Sequence, residues 1–147
     1  MYPNPFSYPN RQKSLKSYDA GEFLLKNRYY DQAVHASYNA VIQLFLHIIH
    51  ELKGINESEL SQEVKLRRAK LGSHEVYCML VLRQIERKSI RSYRAIKRNL
   101  NILKTLRVKA DYNTSVCQEK ESKRALSLAT DIWNELKCFY QIGGMLM

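Results

Sequence analysis

Apolar residues recur every three or four positions along most of the chain, which is the spacing of one face of an α-helix. No stretch shows the alternation of apolar and polar residues that is typical of a strand, and all three prolines lie within the first nine residues. The pattern therefore predicts an all-α protein. We expect an extended arm over residues 1–13, rich in Pro and Asn, and a single helical domain over residues 14–142.

Helical periodicity continues through several segments, of which the second is the most apolar. The segments are 14–27, 30–52, a short charged one at 56–71, one opening at Ser73, 89–111 and 114–140. Their short connections predict an up-and-down four-helix bundle with an extra short helix. Apolar residues cover nearly the whole circumference of segment 30–52, so we expect this helix at the core, with Gly54 as its left-handed C-terminal cap.

Composition excludes several classes of protein. No apolar run approaches the roughly 20 residues that span a bilayer, and the start of the chain lacks the basic and apolar regions of a signal peptide. Cys78, Cys117 and Cys138 are odd in number and widely spaced, which argues against a disulfide framework and against a zinc site. We therefore expect a cytoplasmic protein that makes no membrane contact and holds no cofactor or metal.

Positive charge is concentrated in the middle of the chain. The net charge is +10, yet residues 65–109 hold fourteen Lys and Arg against two Glu, a balance of +12, and the rest of the chain balances at −2. Such a block attracts nucleic acid or an acidic protein, although a solvated helix face also carries charge. The candidate anion-binding residues are Arg87, Arg91, Arg94, Lys97, Arg98 and Lys104.

Three short motifs occur in order along the chain. Residues 20–25 (AGEFLL) lead into residues 30–40 (YDQAVHASYNA), residues 72–76 read GSHEV, and residues 106–112 read LRVKADY. Together these motifs resemble the HEPN superfamily, a group of small helical bundles named for nucleotide binding in higher eukaryotes and prokaryotes. The first is similar to the family's opening helix pair, the second to the Ser/Thr-His of its third main helix, and the third to the Arg-x-x-Ala-Asp-Tyr of small stand-alone bacterial members.

The resemblance implies one of two activities. Many HEPN proteins are metal-independent endoribonucleases that act as toxins or in phage defence, and they commonly dimerise around a motif of Arg, four to six residues, then His. In that chemistry the Arg stabilises phosphate charge and the His handles the proton of the ribose 2′-hydroxyl. Other members have lost the motif and serve as binding or assembly modules. A homodimer is expected in either case.

Arg107, Asp111 and Tyr112 stand where the resemblance places the functional motif. Here an Asp occupies the position at which a His would act, and a carboxylate with a pKa near 4 is a poor proton donor at neutral pH. The alternative interpretation is structural, because Arg107 and Asp111 lie four residues apart and can pair along one helix face. Tyr112 would then close the helix against the bundle.

A second candidate pair is Arg68 with His74, which satisfies the Arg-to-His spacing, although Gly72 and Ser73 predict a helix break between them. More simply, His74 is a residue of a helix's first turn that contacts its neighbours. His47 and His50 lie three apart on the apolar second helix, but no further ligand has matching spacing, so we interpret both as packing residues. His35 and Tyr38 are interpreted in the same way.

Three hypotheses about function follow from the sequence. The first is a non-catalytic or weakly catalytic HEPN module that binds RNA, a nucleotide or an acidic protein through its basic central face. The acidic partner would be of the nucleotidyltransferase type that accompanies some HEPN toxins. The second is a metal-independent endoribonuclease, and the third is a bundle that only mediates assembly.

Overall fold

The computed structural model describes residues 8–67, 71–112 and 116–142, and every regular element within them is a helix. Six α-helices follow one another in these ranges: α1 (Pro9–Lys26), α2 (Tyr30–His47), α3 (Glu57–Arg67), α4 (Ser73–Lys88), α5 (Ile90–Tyr112) and α6 (Glu119–Tyr140). A π-helical segment, Ile48–Leu52, continues α2. The all-α prediction is confirmed. None of the described helices combines the length and apolar content needed to cross a bilayer.

The second helix lies at the centre of the core, as its apolar circumference predicts. It contacts α1, α4, α5 and α6, and Val34, Val41 and Phe45 are fully buried. On α1, Gly21 allows close approach, since a Cβ atom there would lie 3.2 Å from the Oγ of Ser37 on α2. The core is therefore organised around α2, and the remaining helices cover it.

Two predicted helix boundaries are wrong. Helix α1 begins at Pro9, so residues 9–13 are helical and do not belong to an extended arm, while residues 1–7 lie outside the described part of the chain. Proline suits this position because its fixed φ is that of a helix and its missing N–H would be unpaired in the first turn anyway. Helix α6 begins at Glu119, where Gln118 and Glu121 form a reciprocal capping box; the predicted start at 114 falls outside the described residues.

The end of α2 differs from the expected regular helix. In the π-helical segment the N–H of Lys53 donates to the carbonyl of Ile48 at 2.9 Å, and the N–H of Ile55 donates to that of Ile49 at 3.1 Å. Nδ1 of His50 also donates to the carbonyl of Ile55 at 2.6 Å. Gly54 has a φ of 70°, which confirms the predicted left-handed cap.

A buried hydrogen-bonded chain joins three helices. The indole Nε1 of Trp133 on α6 donates to the hydroxyl of Ser14 on α1 at 2.9 Å. That hydroxyl donates in turn to the carbonyl of Ala40 on α2 at 2.5 Å. Both side chains are fully buried, so each polar hydrogen removed from water has a partner. The chain fixes the relative position of α1, α2 and α6.

Candidate functional site

Arg107 and Asp111 lie on the last turns of α5 and form the predicted pair, with 3.6 Å between Nη1 of Arg107 and Oδ2 of Asp111. The same carboxylate oxygen accepts a hydrogen bond from Nδ1 of His35 on α2 at 3.2 Å. His35 is therefore not a packing residue, since its side chain is 58% exposed. The structure thus adds a histidine to the Arg–Asp pair.

Tyr112 does not close the helix against the bundle, because its side chain is 76% exposed. It is the last residue of α5. Val108, one turn earlier on the same side of α5, is also exposed. The end of α5 therefore presents apolar side chains to solvent beside Asp111.

Tyr38 connects Arg107 to His74. The guanidinium carbon of Arg107 lies 4.7 Å from the centre of the Tyr38 ring, an arrangement that favours a cation–π contact. The Tyr38 hydroxyl and Nδ1 of His74 are 3.1 Å apart and share a hydrogen bond. The structure therefore joins Arg107 and His74, which the sequence placed in separate candidate pairs. Arg68, the other member of the second pair, lies outside the described residues.

Electrostatics keep both members of this link uncharged at neutral pH. Burial lowers the pKa of His74, and the positive charges of Arg107 and Lys104 lower it further. Burial is also the largest influence on Tyr38 and raises the pKa of its hydroxyl, with Arg107 opposing the shift. A neutral imidazole and a protonated phenol can exchange a hydrogen bond, and neither adds charge to the site. Arg107 is therefore the principal cation of this region.

The structure divides the predicted basic face into separate surfaces. Arg91, Arg94 and Arg98 line a shallow depression beside α6, together with Glu135. Lys97 and Lys104 line a different cavity, between α4 and α5. Arg87 lies near the end of α4, where its charge adds to burial in lowering the pKa of Lys53. The split arises because residues 97 and 104 are seven apart and share one side of α5, whereas residues 91, 94 and 98 share another.

We call Arg91, Arg94 and Arg98 the arginine row. All three side chains are exposed, and within the described ranges no carboxylate oxygen lies within 4.0 Å of their guanidinium groups. On the other surface Lys104 pairs with Glu75 at 2.8 Å, whereas Lys97 donates to the neutral Tyr93 hydroxyl at 3.0 Å. The arginine row therefore places three cations together on one side of α5, where an external anion can reach them.

The histidines of the second helix have unrelated environments. His47 is buried, its ring meets that of Tyr8 edge-on at 5.6 Å, and burial followed by the charge of Arg11 lowers its pKa to about 4. His50 is occupied by the carbonyl of Ile55. Across residues 8–67, 71–112 and 116–142, no three His, Cys, Asp or Glu side chains converge in a way that could hold a metal ion.

Comparisons with protein-family models, with curated proteins and with solved structures gave no significant match. Two groups of residues in this chain have the chemistry of a binding or catalytic site: the exposed arginine row, and the cluster of His35, Asp111 and Arg107.

Proposed function

We propose that this chain is a HEPN-like module that binds RNA through the arginine row. The observation that carries the proposal is the set of three exposed guanidinium groups on one side of α5 with no carboxylate within 4.0 Å in the described structure. The +12 balance of the surrounding segment supplies a longer-range attraction for polyanions. The architecture we propose is the HEPN four-helix arrangement, with α2 at its centre.

The spacing of the arginine row suits a phosphate backbone. Arg91 and Arg98 are seven residues apart on one helix, a separation of about 10 Å along its axis. In one strand of B-form DNA, phosphates are spaced about 3.4 Å along the axis, so a nucleic-acid strand of similar spacing would place about three of them along the row. Guanidinium groups bind phosphate oxygens through paired N–H donors, which makes arginine well suited to this contact.

The test compares two variants that change the net charge equally. One reverses the three charges of the arginine row to Glu, and the other reverses three exposed lysines elsewhere, Lys16, Lys26 and Lys120. Fluorescence anisotropy with a labelled single-stranded RNA should show a loss of affinity of more than about tenfold for the first variant. The control should retain most of its affinity. Equal losses would reduce the effect to net charge, and no loss in the first variant would contradict the proposal.

We propose a homodimer in the cytoplasm as the working form. Exposed apolar side chains at the end of α5 and shortly before α6 support this: Tyr112 and Val116 are 76% and 73% exposed, and Val108 is 42% exposed. A Tyr112→Glu variant should shift the sedimentation coefficient from dimer to monomer, because a charge there opposes burial of the patch. A monomer in the unmodified protein would contradict the dimer.

A second candidate function, metal-independent RNA cleavage, is favoured by one observation. Oδ2 of Asp111 accepts a hydrogen bond from Nδ1 of His35 at 3.2 Å. The other ring nitrogen of this exposed residue is then free to accept a proton. Arg107 lies on the same carboxylate and would stabilise charge on the scissile phosphate. In this arrangement His35 replaces the histidine that the α5 motif lacks.

Cleavage can be tested separately from binding. Labelled RNA incubated with the protein in EDTA should be cut, and His35→Ala should slow cutting by about a hundredfold or more if His35 is the general base. His74→Ala tests the other candidate histidine, which contacts Tyr38 and not Asp111. A loss of cutting confined to His35→Ala would assign the general base to His35. Intact RNA in every sample would exclude the nuclease and leave the binding module. Equal rates for the His35 variant and the unmodified protein would exclude this site.

A further inference from the structure

A cavity of about 440 Å³ opens between α4 and α5, away from the arginine row. Its lining includes Tyr38 and His74, which link to Arg107, but not His35, Arg107 or Asp111. Its volume falls within the roughly 300–1,000 Å³ typical of small-molecule sites. Glu75 and Glu86 both line it, and they lie eleven positions apart, or about 16 Å along α4. The cavity is therefore elongated and runs along the seam between the two helices.

The floor of the cavity is apolar. It is formed by Leu82 and Leu100, both nearly buried, with Met79 and Cys78 of α4. Burial raises the pKa of the Cys78 thiol to about 12, so this side chain acts as an apolar wall and not as a thiolate. An occupant would therefore place hydrocarbon, and not a charged group, along most of the length of the cavity.

Charges lie at the rim of the cavity and do not cancel. At one end Lys104 is neutralised by Glu75, with 2.8 Å between the charged atoms. Towards the other end, Arg83 and Lys97 line the rim together with Glu86 alone. No ion pair within 4.0 Å joins Glu86 to either cation in the described part of the chain. Two cations and one carboxylate leave a surplus of one positive charge at that end.

We infer that this cavity binds an organic monoanion with a narrow apolar body, such as a medium-chain carboxylate. The apolar part lies along the floor, and the single negative charge lies between Arg83 and Lys97. A polyphosphate would bring more negative charge than the one surplus cation balances, and it would face Glu86. The inference is independent of RNA binding, because the arginine row lies on another side of α5.

Isothermal titration calorimetry with four probes tests this inference. Octanoate should bind saturably, and 1-octanol, which has the same chain without the charge, should bind about tenfold more weakly. 1-Naphthoate distinguishes an aromatic from an acyl occupant, and binding of it in preference to octanoate would overturn the acyl assignment. Adenosine 5′-triphosphate should bind more weakly than octanoate, and tighter binding would overturn the monoanion. An absence of heat with all four probes would overturn the site itself.

Two substitutions then locate the binding. Met79→Trp fills the floor and should abolish octanoate binding while the helical circular dichroism is retained. Lys97→Gln, on the surface, does not depend on repacking the core; it should weaken octanoate about tenfold and leave 1-octanol unchanged. Lys88→Gln is the matched control, because Lys88 is exposed and does not line the cavity. Equal octanoate affinity in the Lys97 and Lys88 variants would contradict the proposed position of the charge.

Discussion

Two hydrogen-bonded networks connect distant parts of this chain, and they differ in how completely they are buried and satisfied. In the first, Trp133 donates to Ser14, which donates to the carbonyl of Ala40, and both side chains are fully buried. In the second, Asp111 accepts from His35 and pairs with Arg107 at the surface. The first joins three helices in the core, and the second joins α2 to the end of α5.

This difference distinguishes polar groups that hold the fold together from polar groups that can bind a ligand. A buried network with every donor satisfied specifies one packing arrangement and leaves nothing for a ligand. The surface network is incomplete: His35 keeps one ring nitrogen free, and Nε of Arg107 is buried without a hydrogen-bond partner in the described structure. Polar groups held in place but not fully used are the ones that a substrate or ligand can engage. Substitutions in the buried network should therefore lower stability, whereas substitutions in the surface network should mainly affect activity.

The largest effect on stability is expected from Trp133→Ala. Trp133 is fully buried at the centre of the core, so its removal leaves a large cavity and leaves Ser14 without its donor. The free energy of unfolding should fall by about 3–5 kcal/mol, measured by urea denaturation. A loss below about 1 kcal/mol would mean that the first network does not define the core.

Acidification should lower the stability of the protein, because His47 is buried in its neutral form. The pKa of His47 is lowered from 6.5 to about 4 in the folded protein, because burial and then the charge of Arg11 disfavour the imidazolium. The unfolded chain therefore binds a proton first, and stability is lost as pH falls from about 6.5 to about 4. The loss should reach at most about 3 kcal/mol.

The variant that tests this pH effect is His47→Gln, and its control is Asn39→Gln on the same helix. Gln cannot titrate, so the His47 variant should show a flatter dependence of the unfolding free energy on pH. Some slope remains, since the pKa of His74 is also lowered. Asn39→Gln removes no titratable group, so this control should keep the slope of the unmodified protein. A slope unchanged by His47→Gln would contradict the buried, neutral state of this side chain.

Ser14→Ala sharpens the comparison with a smaller change. It removes one hydroxyl and leaves the indole N–H of Trp133 buried without its acceptor. Thermal and urea unfolding should show a loss of about 1–3 kcal/mol. Ser127→Ala, on the exposed side of α6, is the control and should be nearly neutral. Similar losses of unfolding free energy for the two variants would mean that the buried hydroxyl contributes no more to stability than an exposed one.

The smallest effect on stability is expected from Asp111→Asn. Its partners are partly exposed, with 19% of the Arg107 side chain and 58% of the His35 side chain accessible, so the interactions are screened by water. The free energy of unfolding should change by less than about 1 kcal/mol. If His35 acts on RNA, cleavage should nevertheless fall sharply. A large loss of stability would show that this cluster holds the fold together.

Much of the fold could be predicted from the sequence, because burying one face of a helix makes apolar residues recur every three or four positions. The apolar circumference of α2 predicts its central position, and the glycine at 54 predicts the left-handed end of its π-helical continuation. The start of α1 was missed because a Pro- and Asn-rich segment is typical of a loop, although Pro9 is favourable as the first residue of a helix. The π-helical turns after His47 have no distinctive composition and were not predicted.

The candidate site was predicted only in part, because side chains from different helices meet in it. The Arg107–Asp111 pair was predicted, because its two residues lie four positions apart on one helix. The contact of His35 with Asp111 spans 76 residues, and the link from Arg107 through Tyr38 to His74 joins three helices. No local pattern reports such contacts. The basic segment was interpreted as one face because three- and four-residue intervals mix there, but helical geometry separates Lys97 and Lys104 from the arginine row.

The salt dependence of RNA binding shows whether the arginine row contacts phosphates. If the arginine row contacts the phosphate backbone, changing its three residues to Gln should reduce the slope of log affinity against log salt concentration. For single-stranded RNA the reduction should be about 2, since each lost contact removes about 0.7. The anisotropy measurement is repeated between about 50 and 200 mM salt for both proteins. An unchanged slope would show that the RNA lies elsewhere and would contradict the proposed function.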